Sequence, residues 1–126
     1  MSTPEITLER VHDVLDDEGS AAHEYRVLVD RLWPRGIKKE RLAHDDWDKD
    51  VAPSSELRKA FHGDGLGFEE FSHRYRHELD TSDAPQALLD RAGEADAQKI
   101  VLLFATKDTA HNHAQVLQEA LKDLAG

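Results

Sequence analysis

The hydrophobic pattern predicts two buried strands most clearly. Five apolar residues follow a lysine in the segment Lys99–Phe104, and such a run is typical of a strand covered on both faces. The shorter apolar run Val27–Val29 predicts a second buried strand by its length and β-branching. An imperfect alternation of Ile6 and Leu8 with polar neighbours predicts an earlier strand, followed by an exposed loop at Asp13–Ser20.

Apolar residues at three- and four-residue spacing predict helices between and after these strands. The clearest stripe in the middle of the chain consists of Phe68, Phe71, Tyr75 and Leu79. The stripe that ends the chain consists of Ala110, Ala114, Leu117, Leu121 and Leu124. Two further helices are predicted after Pro53, where Ser54 or Ser55 can cap, and after Thr81–Pro85.

This alternation of strands and helices favours an α/β fold. We expect a three-layer sandwich with a largely parallel sheet flanked by helices. The 126 residues are enough for a hydrophobic core, and we expect one domain over residues 1–126.

Composition then narrows the class of protein. The net charge is −10, which disfavours non-specific binding to nucleic acids and anionic membranes. The chain has no cysteine, so disulfides, thiolate metal sites and cysteine nucleophiles are excluded. No targeting segment or membrane-spanning run is visible, and cytoplasmic residence is the expectation. The sequence predicts no cofactor and leaves the oligomeric state open.

The first candidate site follows the strand at Val27–Val29. Arg31, Trp33 and Arg35 come where Pro34 must interrupt regular strand pairing. Ligands of open α/β sheets bind at the carboxyl ends of strands, so these side chains are candidates for the wall of an anion pocket.

The second candidate site lies between the strand Lys99–Phe104 and the last helix. Asp108 or Thr109 is expected to cap this helix, whose free N–H groups would face an anion beside Lys107. Asn112 is a further candidate ligand-binding residue here. If the two buried strands are parallel neighbours, both sites share one cleft that would focus a phosphate, a nucleotide or a carboxylate.

His113 is the candidate acid–base residue of this cleft, with Asp108 expected to orient its ring. A structural histidine is an equally good interpretation, and the arginines could instead form ion pairs with Asp30, Asp108 and the carboxylate-rich surface. His111 and His113 are two residues apart and would point to different sides of a helix, so no metal site is predicted. Arg58 could reach a cleft, but a surface arginine is the better interpretation.

Several of these motifs resemble one known family, the bacterial YeaO-like proteins, catalogued as a domain of unknown function. The resemblance is carried by the run Arg26–Gly36, Lys38-Lys39, Trp47, Ala52-Pro53-Ser54, Leu57-Arg58, Phe71, Tyr75, Glu78-Leu79 and Asn112-His113-Ala114. It implies an α/β fold of three layers in cytoplasmic bacterial proteins, without an established activity or cofactor. Some relatives are labelled transcriptional regulators, but this chain shows no helix-turn-helix pattern.

Three functional hypotheses remain at this point. The first is an enzyme or a binding protein that takes a small anionic ligand in the cationic cleft. The second is a regulatory or protein-interaction module that uses the acidic surface around Asp45, Asp46 and Asp48. Nucleic-acid binding is the third and has the least support, because the net charge opposes it.

Overall fold

The computed structural model describes residues 3–16 and 22–126, and these ranges contain four strands and four α-helices. The strands are β1 (Glu5–Arg10), β2 (Glu24–Leu28), β3 (Asp46–Trp47) and β4 (Lys99–Phe104). The helices are α1 (Ser55–His62), α2 (Phe68–Asp80), α3 (Ala84–Glu94) and α4 (His113–Ala125). Single 3₁₀ turns lie at Val11–Asp13, Lys39–Arg41 and Lys49–Val51.

The four strands form one parallel sheet in the order β1-β4-β2-β3. Strand β4 is central and pairs with β1 on one side and β2 on the other, which explains its continuous apolar run. The pairing of β2 with β4 continues one residue beyond the strand, where Val29 N donates to Leu103 O at 3.0 Å. The predicted largely parallel sheet is therefore confirmed.

The two faces of the sheet are covered by different structures. All four α-helices contribute buried residues to the core on one face, which includes Val27, Val29, Ile100 and Leu102 from the strands. The opposite face presents Leu28, Val101 and Leu103 to Val11, Ile37 and Leu42, with Trp33 and Trp47 packed against this smaller core. The α/β sandwich is confirmed, and the layer on the second face consists of 3₁₀ turns and loops.

The beginning of the last helix differs from the prediction. Helix α4 begins at His113, and its N-cap is Asn112, whose side-chain oxygen accepts from Ala114 N at 2.9 Å. Asp108 and Thr109 therefore do not cap the helix, and Ala110 lies in the exposed turn before it. Leu124 is 50% exposed, so the buried stripe of α4 ends before that residue.

The beginning of helix α1 agrees with the prediction and is reinforced from α2. Ser54 Oγ accepts from Leu57 N at 3.2 Å, as an N-cap does. The same hydroxyl donates to Glu78 Oε2 at 2.6 Å, and Ser54 N donates to Glu78 Oε1 at 2.9 Å. Glu78 thus fixes the start of α1 relative to α2. The predicted loop Asp13–Ser20 lies partly outside the described residues.

Candidate functional site

The ends of strands β2 and β4 meet through one carboxylate. Asp30 follows β2, and its Oδ2 accepts a hydrogen bond from Ala105 N, directly after β4, at 3.0 Å. Trp47 Nε1, in β3, also donates to Asp30 O at 2.8 Å. This hydrogen bond connects Asp30 to a third strand. The two polar stretches that follow β2 and β4 therefore lie side by side, because their strands are parallel neighbours.

His113 is oriented by the same carboxylate. Its Nε2 lies 3.0 Å from Asp30 Oδ1, which is an ion-pair distance, and this buried oxygen has no hydrogen-bond partner among the described residues. Nε2 also lies 3.1 Å from Val29 O. Both neighbours are acceptors, so Nε2 carries a proton. The arrangement is an aspartate–histidine dyad in which the histidine side chain is 16% exposed.

The predicted orienting role of Asp108 is wrong. Asp108 Oδ1 accepts from Ala110 N and from His111 N, both at 2.9 Å, and its side chain is 54% exposed. These two backbone hydrogen bonds stabilise the charged form and lower the pKa of Asp108 below its ordinary value. The geometry thus assigns Asp108 to shaping the turn before α4, while Asp30 holds His113.

A cavity of about 190 Å³ opens at this edge of the sheet, between the two strand ends and helix α1. Its lining residues are Asp30, Arg31, Leu32, Pro34, Pro53, Arg58, Phe61, His62, Phe71, Ala105, Thr106, His111, Asn112 and His113. We call this cavity the strand-end cleft. It combines cationic and apolar side chains, as ligand sites commonly do.

Two arginines supply the positive charge of the strand-end cleft. Arg31 Nε donates to Pro53 O at 3.1 Å, an anchoring contact that leaves the two terminal nitrogens of the guanidinium for other partners. Arg58 is exposed on α1. Neither arginine forms an ion pair with any residue in the described part of the chain. Two cations without a carboxylate partner are the main electrostatic feature of the cleft.

His62 is a third basic group of the cleft, and its environment favours the neutral ring. Partial burial lowers the pKa of His62 below its ordinary value of 6.5. The positive charge of Arg58, and that of the His113 ring when it is protonated, lower it further, against an opposing effect of Asp30. An anion bound beside Arg58 would favour the protonated form of His62, because it would offset these positive charges.

Helix α1 contributes Phe61 and His62, to which the sequence did not point, and Arg58, which was predicted as a surface arginine able to reach a cleft. Arg58, Phe61 and His62 lie on one face of this helix at three- and four-residue spacing, and all three line the cavity. This spacing indicates that the three residues share one face of a helix. Whether that face points toward the cleft depends on how α1 packs against the rest of the fold. Arg58 is exposed as predicted for a surface arginine, yet it also lines the cleft.

The predicted ligand-binding residues are only partly brought together. Arg31 and Asn112 line the cleft, whereas Trp33, Arg35 and Lys107 are outside its lining. Trp33 packs against the second face of the sheet, where its Nε1 donates to Ile37 O at 2.6 Å and its ring meets Trp47. Arg35 and Lys107 are exposed.

Asn112 lines the cleft with an amide that already has partners within the turn. Its oxygen caps α4, and its Nδ2 donates to Asp108 O at 2.8 Å. The residue is only 2% exposed. This geometry gives Asn112 a structural task, and its predicted ligand contact stays a prediction.

The acidic stretch around β3 is used within the fold. Arg91 donates from Nε to Asp46 Oδ2 at 2.9 Å and from Nη2 to Asp48. Tyr25 OH donates to Asp46 Oδ2 at 2.9 Å, and Asp45 Oδ2 accepts from Arg26 N at 2.8 Å. Charge reversal here would disturb the fold, so such variants are unsuitable for testing a partner-binding surface.

The described residues contain neither a metal-binding cluster nor a membrane-spanning helix. Within residues 3–16 and 22–126, no three histidine, aspartate or glutamate side chains form a group that could hold a metal ion. No helix in these ranges is both long enough and apolar enough to cross a membrane.

Comparison with known proteins identifies the family. The chain is 44% identical over 119 residues to the uncharacterized protein YeaO of Escherichia coli strain K12, covering 94% of this chain and 98% of the relative. It is 39% identical over 117 residues to the uncharacterized protein Rv3073c of Mycobacterium tuberculosis strain H37Rv, covering 92% of each. No solved structure gives a significant match. A family model described as "Inactive DUF488-N3 subclade" matches residues 5–125, so the chain belongs to this YeaO-like DUF488-N3i family, as its sequence motifs predict.

Proposed function

We propose that this protein binds a small anionic ligand in the strand-end cleft. The observation that carries the proposal is the pair Arg31 and Arg58, which line a partly enclosed cavity without carboxylate partners among the described residues. An unpaired guanidinium is a strong binder of carboxylate and phosphate, because its planar N–H groups form paired hydrogen bonds with their oxygens.

The surroundings of the cleft strengthen this selectivity for anions. The whole chain carries a net charge of −10, so a cationic cleft contrasts with the field of the rest of the surface. Asp30 is the only carboxylate among the lining residues, and it is already engaged by His113 and Ala105 N. Each of its two oxygens therefore already lies at about 3 Å from a protein nitrogen.

Binding without turnover is the version of this function that we favour. The matching family is described as inactive, a word that applies to the family and that favours a binding role for this member. The chain has no cysteine nucleophile. Thr106 is the only hydroxyl side chain among the lining residues, and no hydrogen bond links it to His113.

The experiment that tests this proposal is a thermal-unfolding screen of the protein against inorganic phosphate and a series of small carboxylates. A ligand at 100 times its dissociation constant should add about 2.7 kcal/mol to the free energy of unfolding. Arg58→Gln should remove the stabilisation by ligand. Lys59→Gln is the matched control, because Lys59 is exposed on the same helix and does not line the cleft.

The outcomes separate the proposal from its alternatives. If no anion stabilises the protein, or if Arg58→Gln leaves the stabilisation unchanged, ligand binding at this cleft is wrong. Arg35→Gln and Lys107→Gln belong in the same experiment, because the roles of Arg35 and Lys107 as ligand contacts stay predictions. Loss of binding in either variant would extend the site beyond the lining residues.

Acid–base catalysis is a second candidate, and the Asp30–His113 dyad is the observation that favours it. The carboxylate lies 3.0 Å from Nε2 of a histidine that lines the cleft, and imidazole is a common acid–base group near neutral pH. The test is to incubate each stabilising ligand with an equimolar amount of the protein. The mixture is then analysed by mass spectrometry. Unchanged ligand supports binding alone, whereas a product that His113→Gln fails to form supports catalysis.

A further inference from the structure

We infer that the ligand of the strand-end cleft is a ring-sized aromatic monocarboxylate, for which benzoate is the simplest probe. This inference rests on the proposed anion-binding function and adds the size, the charge and the apolar character of the ligand. Three independent properties of the cleft lead to it.

The first property is volume. The cleft holds about 190 Å³. An apolar cavity of about 150 Å³ accepts benzene, whereas pockets for drug-sized ligands begin at about 300 Å³. The cleft therefore has room for one six-membered ring with a small substituent. Acetate or phosphate alone would leave part of it unfilled.

The second property is the apolar wall. Phe61 and Phe71 line the cleft, and their rings stack with centroids 4.3 Å apart and planes 20° from parallel. Pro34 and Pro53 line it as well, and both are buried. A wall of two aromatic rings and two prolines cannot hydrogen-bond a ligand, so it favours an apolar surface in contact with it.

Leu32 adds to this argument at the rim of the cleft. It is 58% exposed, one of the two large hydrophobic side chains that are exposed in the described ranges, and it lines the cavity. Contact with an apolar ring would remove part of this leucine from water, which a purely polar ligand would not do.

The third property is charge. Arg31 and Arg58 are the permanent cations among the lining residues, and Asp30 is the only carboxylate. The two guanidinium charges and the one carboxylate charge sum to one net positive charge in the cleft. One net charge matches a monoanion such as a carboxylate, whereas a dianionic phosphate would leave an excess negative charge in a protein that is already strongly acidic.

The test is isothermal titration calorimetry of the unmodified protein with four probes: benzoate, acetate, benzamide and inorganic phosphate. Benzoate should bind at least tenfold more tightly than acetate, because only benzoate fills the apolar part of the cleft. Benzamide has the shape of benzoate without its charge and should bind at least tenfold more weakly. Inorganic phosphate should also bind at least tenfold more weakly.

Two variants locate the binding. Arg58→Gln should weaken benzoate binding at least tenfold, whereas the neighbouring control Lys59→Gln should leave it within twofold. Phe61→Leu keeps an apolar residue of similar size in α1, and it should weaken benzoate more than acetate. Far-ultraviolet circular dichroism confirms that each variant keeps its helices, and the probe series on the unmodified protein does not depend on any variant.

Each contrary outcome has a distinct meaning. If acetate or phosphate binds as tightly as benzoate and Arg58→Gln abolishes that binding, the aromatic inference is wrong and the anion-binding function stands. If benzamide binds as tightly as benzoate, the cleft does not recognise negative charge. Both the anion-binding function and the aromatic monocarboxylate inference are then wrong. If none of the four probes binds, the aromatic inference is overturned, and the anion-binding function survives only if the wider thermal screen yields another anion.

Discussion

The imidazole of His113, at the start of α4, lies 3.0 Å from the carboxylate of Asp30, which follows β2. The same carboxylate accepts from Ala105 N, directly after β4. One aspartate thus connects the ends of the two central strands with the first residue of the last helix. This relationship defines the back of the strand-end cleft.

We expect the contact between Asp30 and His113 to stabilise the fold as well as the cleft. In a double-mutant cycle with Asp30→Asn and His113→Gln, the coupling energy should be about 1–2 kcal/mol, because both side chains are largely buried and the acceptor is charged. Urea unfolding of the unmodified protein, the two single variants and the double variant measures this energy. A coupling energy near zero would show that the two side chains contribute to stability independently.

The ion network of Arg91 gives a second prediction. Asp48 is 7% exposed, and Arg91 joins it to Asp46. Removing the arginine leaves a buried carboxylate without its cation, so Arg91→Met should lower the free energy of unfolding by about 1–3 kcal/mol. This loss of stability should be smaller than that for a fully buried ion pair, because the Arg91 side chain is 40% exposed.

Arg74→Met is the matched control for this network. Arg74 is 55% exposed and pairs with Glu70 one turn away on α2. An exposed pair of this kind contributes little, so the control should change the free energy of unfolding by no more than about 0.5 kcal/mol. Equal effects of the two substitutions in a denaturation experiment would contradict the structural role of Arg91.

His62 gives a prediction about pH. Because its pKa in the folded protein is below its ordinary value of 6.5, the unfolded chain takes up this proton more readily. Stability should therefore fall as the pH drops below 6.5 and rise again as the pH returns. His62→Gln should make this dependence shallower, whereas His73→Gln, on the exposed side of α2, should preserve the His62 contribution.

An NMR titration of the His62 ring checks the cause of this shift. Arg58→Gln should raise the pKa of His62, because it removes the positive charge that lowers this pKa most. Saturating benzoate should raise the same pKa if it binds beside Arg58. A His62 pKa at or above its ordinary value in the unliganded protein would contradict the described environment.

Two glycines give opposite predictions for the same substitution. Gly93 lies in α3, where an added methyl group would meet no atom within 4 Å, so Gly93→Ala should stabilise the protein by about 0.5–1 kcal/mol. Gly36 has φ +79°, a left-handed conformation, so Gly36→Ala should destabilise it by about 1 kcal/mol. Thermal unfolding of both variants measures the two signs. Stabilisation by Gly36→Ala would contradict the left-handed turn.

Much of the fold was predictable from local patterns. The apolar run of β4, the cap Ser54 and the stripe of α2 each depend on a few consecutive residues whose spacing follows from strand and helix geometry. The start of α4 was less predictable, because Asp108, Thr109 and Asn112 all have side chains that can cap. Only the backbone path through the turn selects Asn112.

The sequence by itself determined that two polar stretches follow buried strands and that Arg31 and His113 belong to them. Only the tertiary structure decided that β2 and β4 are neighbours, that Asp30 holds His113, and that Arg58 enters the cleft from α1. The physical reason is that hydrophobic spacing depends on each segment alone. Strand order and helix placement instead depend on how distant segments pack, and the same packing leaves Arg35 and Lys107 outside the lining.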